Sequence, residues 1–86
     1  MISVVYKPGF IRQFKKLPAL LQKEVVVKVA LFRDIKNHPA LEVHKLHGRL
    51  NGKLGFSVNF KYRVVFIYLS DREAVLLAVG DHTVYE

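Results

Sequence analysis

Arg63-Val64-Val65-Phe66-Ile67-Tyr68-Leu69 and Ala74-Val75-Leu76-Leu77-Ala78-Val79-Gly80 are two apolar runs separated by Ser70-Asp71-Arg72-Glu73. Each run has strand length and is rich in β-branched and aromatic residues, and the charged interval between them reads as a turn. Pairing them as a hairpin brings Lys61-Tyr62-Arg63 and Gly80-Asp81-His82-Thr83-Val84-Tyr85 to the same end of one small sheet. A guanidinium, an imidazole, a phenol and an ammonium then share one basic surface.

Upstream, Phe56, Val58 and Phe60 alternate with Ser57 and Asn59, the period of a strand with one wet face. Residues 40–51 read as a connecting arm, with Gly48 and Gly52 permitting turns. Residues 19–36 read as a helix that closes at Asn37-His38-Pro39. Leu21, Val25, Val29 and Phe32 fall on one side of its wheel, and Leu20, Val27, Leu31 and Ile35 widen that side. Glu24 and Lys28 interrupt the arc. So wide a stripe is either core throughout or partly a dock for a partner helix. Residues 10–17 read as a shorter helix with Phe10, Phe14 and Leu17 inward, ended by Pro18. Ser3 to Tyr6 reads as a first strand, broken by Lys7-Pro8-Gly9. The order is β-α-α-β-β-β: an α+β fold, two N-terminal helices on one mostly antiparallel four-stranded sheet.

The chain has 86 residues, which implies a single domain over 1–86 with one modest core. It lacks cysteine, so disulfides and thiolate metal sites are excluded. The His44-Lys45-Leu46-His47 pair lacks further ligands nearby, and no metal or other cofactor is expected. No signal peptide or membrane-length apolar run is evident, and a cytoplasmic location is expected. Fourteen Lys and Arg against seven Asp and Glu leave a net charge of +7. Such a field attracts a polyanion such as RNA, or an acidic protein.

Leu46-His47-Gly48-Arg49-Leu50-Asn51-Gly52, then Phe56 through Phe66, then Leu77-Ala78-Val79-Gly80-Asp81-His82-Thr83-Val84-Tyr85, in this order and spacing, resemble the RelE/ParE superfamily of type II toxin–antitoxin toxins. The resemblance spans nearly the whole chain. It implies a small RelE-like fold and a cognate antitoxin that wraps it. It also implies one of two activities: cleavage of mRNA on the ribosome, or poisoning of DNA gyrase without nuclease chemistry.

RNA cleavage by attack of a 2′-hydroxyl on its own phosphate requires a proton acceptor, a proton donor and cations around the phosphorane. Arg63 is the clamp candidate, since a guanidinium is permanently charged and grips phosphate oxygens in two places. His82 is the proton-transfer candidate, since imidazole titrates near neutrality. The resemblance supports both places. It also implies a stacking or orienting role for Tyr85. At His44, in a His-x-Leu-x-Gly setting similar to that of the YafQ branch, it implies a general base or substrate contact. Lys61, Lys53 and Arg49 are candidate substrate-binding cations. Gly55, Phe56 and Ser57 depart from the pattern, occupying places that are often basic in RNA-cleaving relatives. The resulting expectation is an mRNA endoribonuclease toxin of the RelE/YafQ type. A ParE-like gyrase inhibitor and a catalytically decayed basic interaction module remain the alternatives.

Overall fold

The computed structural model describes residues 1–81 and Val84. The order is β1 (Ser3–Tyr6), α1 (Pro8–Lys15), α2 (Ala19–Phe32), β2 (His44–Lys45), β3 (Leu54–Ser57), β4 (Arg63–Ser70) and β5 (Glu73–Gly80). Short 3-10 turns at Ile35–Asn37 and Gly48–Leu50 flank β2. The expected hairpin is present, β4 pairing antiparallel with β5 from Arg63↔Gly80 to Ser70↔Glu73. Its turn is tight, and the Ser70 hydroxyl accepts from the Arg72 amide at 3.2 Å.

The sheet has five strands, in the order β1-β5-β4-β3-β2, where four were expected. The extra strand is β2, a two-residue ladder in the 40–51 arm that pairs His44 with Gly55 and Lys45 with Leu54. Two residues are too few to carry a period, so this strand exists only because β3 offers an unpaired edge. The outer pairing of β1 with β5 is parallel, with Ser3↔Glu73 and Tyr6↔Leu76 in register, so the sheet is mixed.

Pro8 occupies the first turn of α1, where its missing amide costs nothing. The second helix stops at Phe32, short of the expected Lys36. Side chains close its end: Asn37 Nδ2 donates to the Leu31 carbonyl at 2.9 Å, and His38 Nε2 meets the Phe32 carbonyl at 2.7 Å. A carbonyl only accepts, so Nε2 carries the proton. The His38 ring also stacks on Phe32, with centroids 4.8 Å apart. His38, in the segment that closes the helix, is therefore a helix cap.

Leu21, Val25, Val29 and Phe32 are the buried face of α2, whereas Leu20, Val27, Leu31 and Ile35 are exposed. The inward stripe is thus the narrow set. Phe32 packs on Phe56 of β3 and Phe66 of β4, with both centroid distances 4.7 Å, and all three rings are fully buried. Ile2, Phe10, Val64, Leu76 and Val79 complete this core. Arg33 Nε donates to the Ile2 carbonyl at 3.1 Å while the Ile2 amide donates back to the Arg33 carbonyl at 2.8 Å, tying the chain start to the end of α2. On β4, Tyr68 sets its ring edge-on to Phe66 at 5.3 Å, and desolvation raises its phenol pKa.

The strand expected through Phe60 ends at Ser57. Phe56 and Val58 are buried, but Phe60 is 92% exposed. Truncating Phe32 to alanine removes the ring on which both others pack and should cost about 3–5 kcal/mol of unfolding free energy. Urea denaturation of Phe32→Ala checks this; a loss under about 1 kcal/mol would mean that the three rings do not act as one cluster.

Candidate nucleic-acid interface

Between β3 and β4 the chain turns through residues 58–62, and Asn59 organises that turn. Its Oδ1 accepts from the Lys61 amide at 2.9 Å and the Tyr62 amide at 2.8 Å, an Asx-type arrangement. The Val58 amide donates across the turn to the Tyr62 carbonyl at 2.9 Å. Helix α2 braces the turn from outside. Lys28 Nζ donates to the Val58 carbonyl at 2.7 Å, and Asn59 Nδ2 donates to Glu24 Oε2 at 3.3 Å. Glu24 and Lys28 are the two residues that break the apolar arc of α2, one helical turn apart, so both interruptions serve one contact.

Arg63 opens β4 directly after this turn and is half-buried. Its Nη1 donates to the carbonyls of Asn59 at 2.6 Å and Tyr62 at 3.0 Å. Nη1 lies on the Cδ side of the guanidinium. The opposite edge, Nε–H beside Nη2–H, is the fork that matches two oxygens of one phosphate. No acceptor among the described residues engages that edge. Lys61 is exposed, its ammonium 5.9 Å from the centroid of the Tyr62 ring.

A cleft of about 490 Å³ opens here, lined from α2 by Lys28 and Leu31, from residues 37–42 by Asn37, Leu41 and Glu42, and from the turn by Ser57, Asn59, Phe60 and Arg63. Ser57 Oγ donates to Glu42 Oε1 at 2.9 Å across it.

Register and alternation relate the other candidates to Arg63. Positions two apart on a strand share a face, so His44, Gly55, Ser57, Arg63 and Gly80 lie on one side of the sheet. Phe56, Val64 and Val79 lie on the other, against the helices. Two inter-strand spacings and one two-residue step put the Cα atoms of His44 and Arg63 about 12 Å apart. His44 is exposed, and its Nδ1 meets the Glu42 carbonyl at 2.7 Å. Gly80 is the register partner of Arg63, which brings the C-terminal end of β5 to the start of β4. His82 and Tyr85 lie outside the described residues. Lys53 lines a separate hollow with Lys45, His47 and Asn51, and Arg49 is exposed on the adjoining 3-10 turn, so neither shares the cleft of Arg63. Gly55 and Phe56 are buried, which leaves that part of β3 without side-chain charge.

The turn-locking residues Asn59, Glu24 and Lys28 and the outward Phe60 are not apparent as site residues in the sequence. The paired interruption of the α2 stripe is the one local signal for two of them.

No protein-family model and no curated protein matches the sequence. Solved structures do match. A conserved hypothetical protein of Helicobacter pylori superimposes with a TM-score of 0.75 at 19% identity, covering 96% of this chain and 97% of its own. The toxin–antitoxin complex RelBE2 of Mycobacterium tuberculosis follows at 0.71 and 24%, covering 94% and 98%. YafQ of E. coli matches at 0.69 and 11%, covering 98% and 97%. Likeness at these identities establishes the architecture: the chain has the RelE-like fold found in toxins of toxin–antitoxin systems.

Replacing Asn59 with alanine removes the one acceptor of two turn-closing hydrogen bonds and the link to Glu24. The change should cost about 1–2 kcal/mol. It should also speed hydrogen exchange at the Lys61 and Tyr62 amides more than in the β4–β5 hairpin. Equal protection of those two amides in both proteins would show that the turn is held by something other than the Asn59 side chain.

Proposed function

We propose that this protein is the toxin of a type II toxin–antitoxin pair and cleaves mRNA on the ribosome through attack of a 2′-hydroxyl on the adjacent phosphate. The observation that carries this reading is the guanidinium of Arg63, anchored through Nη1 on two backbone carbonyls, with its phosphate-matching edge turned away from them. Such an anchored cation is placed in advance for charge that grows on the phosphorane oxygens. Lys61 adds positive charge from the same turn.

Proton transfer falls to His82 and His44 in this proposal. His82 follows two residues after Gly80, the register partner of Arg63. His44 lies on the same sheet face, with its Nδ1 against the Glu42 carbonyl. Tyr85 would orient a base, and Arg49 and Lys53 would contact RNA further along the strand.

The antitoxin partner is inferred from the fold and from a surface. Tyr6, Phe10, Ile11, Phe14, Val25 and Val26 line an apolar groove of about 310 Å³ between the two helices. Exposed Val26 and Ile11 at its rim suit the apolar side of a partner helix. Arg12 and Lys15 on α1 favour acidic residues flanking that side.

One observation favours a second reading, a gyrase inhibitor of the ParE kind. Gly55 and Phe56 are built into the sheet interior, where related nucleases often carry basic residues. An inhibitor acting by binding alone needs no such cations.

Purified protein added to programmed ribosomes should yield mRNA fragments with 2′,3′-cyclic phosphate and 5′-hydroxyl ends. Arg63→Ala and His82→Ala should each lower the cleavage rate by about 10²–10⁴-fold. Full-rate cleavage by the double variant would remove both residues from the mechanism. Intact mRNA together with inhibited DNA supercoiling would select the gyrase reading.

A further inference from the structure

We propose that Phe60 is a base-stacking residue which, with the guanidinium of Arg63, holds one nucleotide of a single-stranded RNA in the cleft beneath the 58–62 turn. The inference rests on the RNA-directed reading above and adds a substrate contact to it.

Three features of Phe60 support this. The first is exposure: the ring is 92% exposed although the sequence alternation would bury it. The second is rigidity. Phe60 sits inside the turn that Asn59 closes and that Glu24 and Lys28 brace from α2, so the ring is presented by an ordered support. The third is company: Phe60 and Arg63 line the same cleft, whose volume of about 490 Å³ falls in the range that accommodates a small organic ligand.

The chemistry divides that cleft. At Arg63 the Nε/Nη2 edge donates to the oxygens of a phosphate. Glu42, opposite, repels a second phosphate but accepts hydrogen bonds from the N–H groups of a base. The phenyl ring carries no hydrogen-bonding group, so what lies on it is a flat, weakly polar surface. A nucleobase linked to a phosphate meets all three requirements, and stacking on an aromatic ring tolerates any base. A protein side chain would satisfy the ring alone. The apolar groove between α1 and α2 is a better seat for a protein partner, because its lining is almost entirely hydrocarbon.

The chain contains no tryptophan, so Phe60→Trp introduces a single indole at this position. The probe is a short single-stranded oligoribonucleotide carrying 2′-O-methyl groups, which binds without being cut. Indole fluorescence of Phe60→Trp should be quenched on titration, with an affinity within about threefold of the wild type. Phe60→Ser, its fold verified by circular dichroism, should bind the same oligonucleotide at least about tenfold more weakly. An oligonucleotide of abasic sugars should bind both proteins equally. Equal affinity of wild type and Phe60→Ser for the intact oligonucleotide would overturn the proposal, as would absence of wild-type binding at millimolar concentration. A Phe60→Ser effect confined to the complex with a co-expressed antitoxin would also overturn it, making the ring a protein anchor. Ribosomal cleavage is scored separately. A protein that shows the stacking signature yet leaves mRNA intact would retain the nucleotide clamp and lose the nuclease.

Discussion

The contact on which the molecule depends is the clasp of Phe32 on Phe56 and Phe66. One ring from α2 meets one ring from each of β3 and β4 at 4.7 Å, all without solvent exposure. In a chain of this size a single cluster of large rings supplies much of the burial that offsets chain entropy. The clasp also sets the position of α2 above the sheet. With α2 there, Glu24 and Lys28 reach the turn between β3 and β4, and that turn in turn steers Arg63. A hydrophobic contact in the core thereby governs where a surface cation points.

Backbone carbonyls rather than carboxylates do the steering. Arg63 and Lys61 make no ion pair with a described residue; one is bound to two peptide oxygens and the other lies over an aromatic face. A peptide oxygen orients a guanidinium without neutralising it, so the positive charge stays available to a polyanion. Two carboxylates beside the turn accept from neutral groups, Glu24 from the Asn59 amide and Glu42 from the Ser57 hydroxyl.

Much of the fold was legible because its main elements are long and strongly patterned. The β4–β5 hairpin announced itself by two dense apolar runs around a charged interval, and its register delivered the expected approach of Arg63 to the end of β5. Errors fell where the local pattern was ambiguous. The stripe of α2 ran on to Ile35 in the sequence, yet Asn37 and His38 cap the helix at Phe32, because side-chain donors satisfied the last carbonyls first. The alternation through Phe56, Val58 and Phe60 promised a third inward side chain. Asn59 instead captured two following amides and turned the chain, which left Phe60 in water. No periodicity argument could locate β2, whose two residues form a strand by pairing with the edge of β3.

What the sequence determined by itself is the set of elements, their order, the excess of positive charge and the chemical types available for a site, since these follow from local pattern and composition. Tertiary structure alone decided which of those groups meet. It placed Phe60 and Arg63 in one cleft, put His44 on the same sheet face at a distance, and sent Lys53 to another hollow. The reason is physical: the orientation of Arg63 depends on a turn braced by helix residues 30 and 35 positions away in the chain, and contacts of that span leave no trace in local periodicity.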